Sequence, residues 1–263
     1  MPYLKTREAT IYYDVRGEGP WLAMIAGLGS DHQSWQFILK DIQKHFRVLI
    51  WDNRGSGRTK AKSASFGMAD LSRDCIALLD EMNIEKCFLI GHSMGGGVSQ
   101  LLALHHPLRI QKMILASATT HMSDRNKSLF DFLITSWKDG LSQEQWLRNL
   151  FYWLFSPKAF SNPRFLDAAI ISTVCYPYTQ SPENFKAQID ALVSFDSGDL
   201  IKDIHTPTKL ISGSRDILVY PDETEKLKEM PGVEEMAIIP GAGHSIHAEY
   251  PGEFVREVLD YFL

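Results

Sequence analysis

A serine between a short apolar run and the start of a helix constrains this chain more than any other feature. Residues 91–95 read Gly-His-Ser-Met-Gly, a G-x-S-x-G pattern centred on Ser93. The apolar run 87–90 precedes the pattern, and a helical pattern over about 94–106 follows it and stops before Pro107. Such a turn holds the serine Oγ above the edge of a sheet, and its glycines let strand and helix approach closely. The pattern therefore predicts a strand, a sharp turn that carries a nucleophile, and a helix.

A glycine-rich turn between strand and helix can also bind phosphate, as it does in dinucleotide-binding folds. This chain lacks a Walker lysine in the turn, and its first strand-to-helix turn has no G-x-G-x-x-G. We therefore favour a nucleophilic Ser93 over a phosphate-binding loop.

Short β-rich runs alternate with helical patterns along most of the chain, which predicts an α/β fold with a mostly parallel central sheet flanked by helices. From residue 119 to residue 205 the alternation stops, and four helical patterns follow one another without a clear strand. We interpret residues 119–205 as an inserted helical cap (lid) over a core built from residues 1–118 and 206–263. The predicted strands are 9–15, 21–26, 46–51, 87–90, 113–116, 209–212 and 236–239, and the predicted helices are 35–45, 71–82, 94–106, 129–137, 143–155, 164–175, 182–193, 222–230 and 254–262.

A serine needs a general base, and an acid that orients the base, before it can attack a carbonyl. Asp216 follows the predicted strand 209–212, and His244 follows the predicted strand 236–239. Both side chains are therefore expected at the carboxyl edge of the sheet, where ligands of open α/β sheets bind. The chain order Ser93, Asp216, His244 is also the order found in serine hydrolases with this turn. We predict Ser93 as the nucleophile, His244 as the base and Asp216 as the acid that holds the imidazole.

Other acidic residues and histidines fit these roles less well. Asp216 could be a turn or cap residue, since aspartate is common in turns. Three competing aspartates end the predicted cap and follow no core strand: Asp196, Asp199 and Asp203. His92 lies inside the turn and cannot reach back to its neighbour, and His247 is interpreted as a pocket-side or surface residue. His121 begins the predicted cap, and we favour a surface position for it over one that lines the pocket.

The oxyanion that forms during acyl transfer needs preorganised hydrogen-bond donors. Residues 27–30 read Gly-Leu-Gly-Ser and follow the predicted strand 21–26, so their backbone amides can point at a substrate carbonyl oxygen. We predict an oxyanion hole formed by the amides of Leu28 and of Met94, the residue after the nucleophile. The two glycines are equally compatible with a simple tight turn.

Together these motifs resemble the α/β-hydrolase superfamily, and within it the 3-oxoadipate enol-lactonases and the carboxylesterases that cleave pimeloyl-carrier-protein methyl esters. The resemblance covers nearly the whole chain and rests on residues 27–31 with Trp35, residues 51–58, the turn at Ser93, residues 213–216 and residues 243–244. It implies an α/β-hydrolase fold with an inserted cap, and a structural role for residues 52–58. Many members carry a His-Gly pair before the oxyanion loop, where this chain has Ala26 and Gly27.

The predicted cap is rich in aromatic residues, which make up fourteen of its 87 residues. Large side chains can build a small core within the cap itself, or they can line a substrate pocket. We expect some of five aromatic residues to face Ser93 and to form an apolar acyl or alcohol pocket: Trp137, Phe151, Tyr152, Trp153 and Phe155. The cap also has ten acidic and eight basic residues, so it offers no basic rim for an acidic carrier protein. A carrier-protein partner remains an alternative to the small-molecule substrate that we favour.

These residues predict a serine hydrolase that cleaves a small to medium carboxylic ester or lactone, with no metal ion and no organic cofactor. A serine at position 93 argues against dehalogenase and epoxide-hydrolase chemistry, which uses an aspartate there. Two alternatives stay open: hydrolysis of a thioester or carbon–carbon bond by the same residues, and a ligand-sensing or signalling protein with slow turnover. The physiological substrate, its chain length and the oligomeric state are not specified.

Charge, hydropathy and cysteine content exclude further classes of protein. The chain has 263 residues and a net charge of −5, which argues against a basic nucleic-acid surface. Its longest near-apolar run, 21–28, is far below the ~20 residues of a membrane span, and its first twenty residues lack the apolar stretch of a signal peptide. The three cysteines have no C-x-x-C spacing. We therefore expect neither a disulfide framework nor a zinc site, and a cytoplasmic location.

Overall fold

The computed structural model of the protein describes residues 2–263 and contains one nine-stranded sheet. The strands are β1 (Tyr3–Lys5), β2 (Ala9–Arg16), β3 (Trp21–Ile25), β4 (Arg47–Trp51), β5 (Lys60–Ala61), β6 (Cys87–His92), β7 (Ile110–Ala116), β8 (Thr208–Gly213) and β9 (Val233–Ile239). Their order in space is β1-β2-β4-β3-β6-β7-β8-β9, with β5 beside β2. The run from β4 to β9 pairs in parallel, whereas β1, β2 and β5 join by antiparallel pairing. The predicted α/β fold with a mostly parallel sheet is confirmed.

Helices cover both faces of the sheet. They are α1 (Gln36–Ile42), α2 (Met68–Glu81), α3 (Met94–His105), α4 (Asp124–Lys138), α5 (Gln143–Leu154), α6 (Pro157–Phe160), α7 (Pro163–Val174), α8 (Pro182–Val193), α9 (Pro221–Glu225), α10 (Ile246–Glu249) and α11 (Pro251–Phe262). Side chains alternate along each strand, so β3 contributes Ala23 and Ile25 to the core beneath α2 and α3. Its other residues, Leu22 and Met24, enter the core beneath α1 and α11.

Most predicted elements lie within two or three residues of the observed ones, and the differences have local causes. The strands β1 and β5 were not predicted, because they have only three and two residues and form by pairing with β2. The predicted helix 222–230 is interrupted: α9 ends at Glu225, and a 3₁₀ helix over Lys226–Glu229 follows. No helix within residues 2–263 combines the length and the apolar surface that a bilayer span requires.

Residues 119–205, called the helical segment from here on, contain α4 to α8. Within this stretch, which the structure describes throughout, there is no strand, only an isolated bridge between His121 and Asp196. Serine side chains accept backbone N–H bonds at the starts of three of its helices: Ser123 at α4, Ser142 at α5 and Ser181 at α8. The segment packs around a third apolar core, to which Leu218 and Leu28 from outside the segment also contribute. Its separation from the rest of the chain as a cap stays a prediction.

Candidate active site

The turn at Ser93 has the strained backbone that its sequence pattern predicts. Ser93 joins β6 to α3 with φ 53° and ψ −117°, a conformation that side chains rarely adopt. A Cβ on Gly91 would collide with the Gly95 carbonyl, and a Cβ on Gly95 would collide with the Ile25 carbonyl. Both positions therefore require glycine so that β6, α3 and β3 can approach one another.

Asp216 and His244 meet at the carboxyl ends of β8 and β9. Asp216 Oδ2 lies 2.8 Å from His244 Nδ1, and both side chains are buried. The other oxygen, Oδ1, accepts the backbone N–H groups of Leu218 and Val219 at 2.9 Å each. A carboxylate oxygen can only accept, so Nδ1 of the neutral imidazole carries the proton and Nε2 keeps a free lone pair.

Ser93 and His244 line one cavity, called the Ser93 cavity here, which holds about 800 Å³ of space including solvent at its mouth. Within residues 2–263, Ser93 Oγ has no hydrogen-bond partner. Catalytic hydrogen bonds often tighten only when substrate is bound, and the shared cavity is therefore the informative observation. The structure brings together all three side chains predicted from the sequence.

The loop between β3 and α1 lies directly beside Ser93, because β3 pairs with β6 in parallel. A Cβ on Gly27 would be 3.2 Å from Ser93 Cβ and 3.2 Å from His92 Nδ1. The predicted oxyanion donors, Leu28 and Met94, both line the Ser93 cavity. Neither backbone amide donates to an acceptor anywhere in residues 2–263. Two amides beside one serine are thus available to a ligand oxygen.

Two side chains that the sequence analysis missed hold this loop. At its start, Asn53 Nδ2 donates to the Ala26 carbonyl at 3.1 Å, and Trp51 Nε1 donates to Asn53 Oδ1 at 3.0 Å. At its end, Gln188 Oε1 accepts the Gly29 amide at 3.0 Å. A polar residue among the apolar positions of α8 was the available signal for Gln188.

Apolar side chains, mostly from the helical segment, form the wall of the Ser93 cavity. They are Leu28, Met94, Met122, Phe130, Leu150, Leu154, Phe185, Leu192, Phe195, Leu218 and Val219. None of the five aromatic residues expected to face Ser93 lines it. Trp137 and Phe151 line a second cavity, Tyr152 is 58% exposed, and Trp153 and Phe155 pack in the third core. The expectation fails because it followed aromatic content, whereas the phase of α5 turns Leu150 and Leu154, four residues apart, toward Ser93.

Two further histidines pack beneath the candidate base. The rings of His92 and His247 lie 4.7 Å apart, and His92 Nε2 donates to the His244 carbonyl at 2.9 Å. Burial, with His247 and His244 nearby, lowers the pKa of His92 well below its ordinary value. Burial and the neighbouring His244 lower the pKa of His247 to about 3. His247 is therefore a buried neutral residue, and its interpretation as a pocket-side or surface residue is wrong. His121 is exposed and lies at the rim of the Ser93 cavity.

The second cavity adjoins the first and shares four lining residues with it: Leu28, Ser30, Leu150 and Leu154. Asp31 lines it and belongs to the one group in residues 2–263 with metal-ligand spacing, together with His32 and Asp52. Burial and the charge of Asp52 raise the pKa of Asp31. Asp52 already accepts the backbone N–H groups of His32 and Arg58 and is bonded to the His32 ring. Both carboxylate oxygens of Asp52 are therefore engaged in hydrogen bonds. We interpret the three residues as a hydrogen-bonded turn rather than an open metal site.

The helical segment is also bonded to the loops that carry Asp216 and His244. Asn126 Nδ2 on α4 donates to the Leu218 carbonyl at 2.7 Å, just after Asp216. Near His244, the Glu249 carboxylate accepts from Ser156 Oγ at 2.6 Å and from the Gly243 amide at 2.8 Å. Together with Gln188, these contacts attach the segment to all three loops around Ser93.

Known proteins and structures are similar to this chain over nearly its whole length, including the loops that carry Ser93, Asp216 and His244. A family model described as "alpha/beta hydrolase fold" matches residues 20–251. A Serratia proteamaculans protein named "Putative carbamate hydrolase RutD" is 26% identical over 263 residues, covering 96% of each chain. The structure of an enol-lactonase from Burkholderia xenovorans LB400 superimposes with a TM-score of 0.88 at 22% identity, covering 99% of both chains. That of a thermophilic esterase from Thermogutta terrifontis has a TM-score of 0.85 at 22% identity, covering 99% of this chain and 96% of the other.

Proposed function

We infer that this chain, a hydrolase belonging to the alpha/beta hydrolase fold family, cleaves a small to medium carboxylic ester or lactone through an acyl-enzyme on Ser93. One observation carries the proposal: His244, whose Nδ1 lies 2.8 Å from the buried Asp216 carboxylate, lines the same cavity as a serine on a strained turn. This arrangement supplies a nucleophile, a base and a group that orients the base.

In the proposed reaction, Ser93 Oγ attacks the substrate carbonyl while His244 Nε2 takes its proton. Asp216 keeps the imidazole in the required tautomer and stabilises the imidazolium that forms. The oxyanion accepts hydrogen bonds from the amides of Leu28 and Met94. His244 then protonates the leaving alcohol, and in the second half-reaction it activates the water that releases the acid from Ser93.

The cavity wall supports a substrate with a hydrocarbon part. Eleven of the residues that line the space next to Ser93 are apolar, and the ligand pockets of enzymes are built mainly from such walls. We propose that the helical segment, residues 119–205, acts as a cap that closes over the core formed by residues 1–118 and 206–263.

A carbamate is the second candidate substrate, because the curated Serratia relative carries that name. A carbamate carbonyl passes through the same kind of tetrahedral intermediate, so the same residues would serve it. The apolar wall of the Ser93 cavity supports an ester or lactone over a small, fully polar carbamate.

The test is hydrolysis of p-nitrophenyl esters from acetate to decanoate, of a lactone and of an alkyl carbamate, with Ser93→Ala as the control. We expect ester turnover that disappears in the variant, with a chain-length optimum set by the cavity. Preferential carbamate turnover would replace the ester proposal. Wild-type rates no higher than those of the variant on every substrate would direct attention to thioester or carbon–carbon bonds, and then to a ligand-sensing role.

A further inference from the structure

We propose that Gln188, on α8 of the helical segment, positions the loop that carries the Leu28 amide, an inference that rests on the proposed reaction at Ser93. The Gln188 side chain is fully buried. Its Oε1 accepts the backbone N–H of Gly29 at 3.0 Å, one residue after Leu28. Gln188 touches no reacting atom, so its role is that of a positioning residue.

The remaining hydrogen bonds of Gln188 hold it in one orientation. Its Nε2 donates to the Arg54 carbonyl and to Ser56 Oγ, both at 2.8 Å. Its Oε1 also accepts from Gln180 Nε2 at 3.0 Å. A primary amide has two donor hydrogens and two acceptor sites, and all four are used here. Rotation of the amide would leave buried polar groups unpaired, so the oxygen stays directed at Gly29.

The geometry of the loop explains why this bond matters for Leu28. The N–H of Leu28 lies in the same peptide plane as the Gly27 carbonyl, which accepts from Ser30 N at 3.3 Å. In a trans peptide the N–H and C=O point in opposite directions, so this bond orients the Leu28 N–H. The next peptide plane contains the Gly29 N–H, and Gln188 fixes it. The two planes on either side of the Leu28 Cα are therefore both anchored.

Close packing reinforces the hydrogen bond. Gly29 has φ +74°, and a Cβ there would lie 3.2 Å from the ring of Phe185, which is also on α8. The loop thus fits directly against one turn of α8, with Phe185 and Gln188 three residues apart on the same face. Correct placement of one proposed oxyanion donor depends on the docking of the helical segment.

The experiment measures how fast a fluorophosphonate reagent phosphonylates Ser93, followed by intact mass, together with kcat and KM on a p-nitrophenyl ester. In the first reaction Ser93 Oγ displaces fluoride, and the phosphoryl oxygen occupies the oxyanion site. Gln188→Met keeps the side-chain length and removes every hydrogen bond. We expect both the phosphonylation rate and kcat to fall by about tenfold to a hundredfold, with KM changed less than about threefold.

Gln188→Glu keeps an acceptor for Gly29, and burial keeps its carboxyl group protonated, so its hydroxyl can donate to the Arg54 carbonyl in place of Nε2. We expect this variant to retain more of both rates than Gln188→Met. Gln100→Met is the matched control, because Gln100 is equally buried and bonds to Thr119 and Ser197 rather than to the loop. If Gln188→Met does not fold, Gln188→Asn replaces it in the experiment. Its side chain is one methylene shorter, so its oxygen cannot reach the Gly29 amide.

Three results decide the matter. The positioning role would be overturned if folded Gln188→Met, or Gln188→Asn used in its place, reacted as fast as Gln100→Met. It would also be overturned if Gln188→Glu and Gln188→Met lost equal amounts of activity. A wild-type protein that reacts no faster than Ser93→Ala would overturn the proposed function, and the inference with it. Wild-type reactivity separates failure of the inference from failure of the function.

Discussion

The sheet core and the helical segment supply different things to the candidate site. The core provides Ser93, Asp216 and His244 from loops at the carboxyl ends of β6, β8 and β9. The helical segment provides most of the wall of the Ser93 cavity and hydrogen bonds to the same loops, but no group that takes part in the proposed reaction. The core would thus determine which reaction is possible. The helical segment would determine how accurately the loops are positioned and which substrates fit beside Ser93. Substitutions in the two regions should differ in kind as well as in size.

Asp216→Asn in the core should have the largest effect. The side-chain amide would present N–H to His244 and stabilise the tautomer with the proton on Nε2, so the imidazole could not accept the Ser93 proton. We expect kcat on a p-nitrophenyl ester to fall by about 10⁴-fold, the loss found for the same change in a serine protease triad. The melting temperature should change little, because the volume is preserved.

Asp199→Asn is the matched control for that substitution in the helical segment. Asp199 has a side chain that is 91% exposed and pairs only with Lys202. The kcat of the Asp199→Asn variant should equal that of the wild type. If Asp216→Asn lowered kcat by less than about tenfold, the acid role of Asp216 would be refuted.

The buried histidines of the core should make stability depend on pH. The folded-state pKa of His247 is about 3, and that of His92 is also far below its ordinary value. The unfolded chain binds these protons near pH 6.5, so the stabilising contribution is complete above that pH and is lost as the pH falls below it. His247 should cost roughly 1 kcal/mol of unfolding free energy per pH unit between about pH 6 and pH 4, and the lowered pKa of His92 acts in the same direction.

Urea unfolding of His247→Phe across this pH range measures the effect. The substitution keeps an aromatic ring between Trp35 and Phe254 and removes the titration. The slope of stability against pH should become shallower by the contribution of one histidine. Parallel slopes in wild type and His247→Phe would contradict the proposed protonation behaviour.

The sequence permits prediction of the core more fully than of the segment because core function follows from local order along the chain. Each predicted side chain comes directly after a strand, and parallel strands bring those ends to one edge of the sheet. Ser93, Asp216 and His244 could therefore be placed together without knowing any tertiary contact.

The contribution of the helical segment could not be predicted from local order, because it depends on how the segment docks on the core. Gln188 is important through its hydrogen bond with Gly29, which lies 159 residues away in the chain. The wall of the Ser93 cavity depends on the rotation of α5 about its axis, which places Leu154 inward and Tyr152 outward. Aromatic content carries no information about that rotation. The two shortest strands were missed for a related reason, since they exist only through their pairing.

Leu154→Ala should change the substrate preference rather than the chemistry. Leu154 lines both cavities, so truncation lengthens the space available beside Ser93. We expect the ratio of kcat/KM for the decanoate ester to that for the butyrate ester to rise by about tenfold, the usual worth of one or two methylenes in an apolar pocket. Tyr152→Ala, two residues earlier and facing solvent, is the control and should leave the ratio unchanged. If Tyr152→Ala changed this ratio and Leu154→Ala did not, the result would support the prediction that aromatic residues of α5 line the substrate pocket.

The smallest effect should come from the surface of the helical segment. Arg148 on α5 bonds to Glu144 at 3.0 Å and to Asp167 on α7 at 2.9 Å, and all three side chains are at least half exposed. Exposed ion pairs gain little because water and salt screen them, so Arg148→Met should leave the midpoint of urea unfolding close to that of the wild type. The difference from wild type should shrink further in 1 M salt. A clear drop in the urea midpoint that disappears in 1 M salt would show that charge, rather than the apolar core around Trp146 and Leu150, holds α5 to α7. The segment would then be a salt-sensitive cap on a salt-insensitive core, and the contrast between the two regions would be larger than the packing indicates.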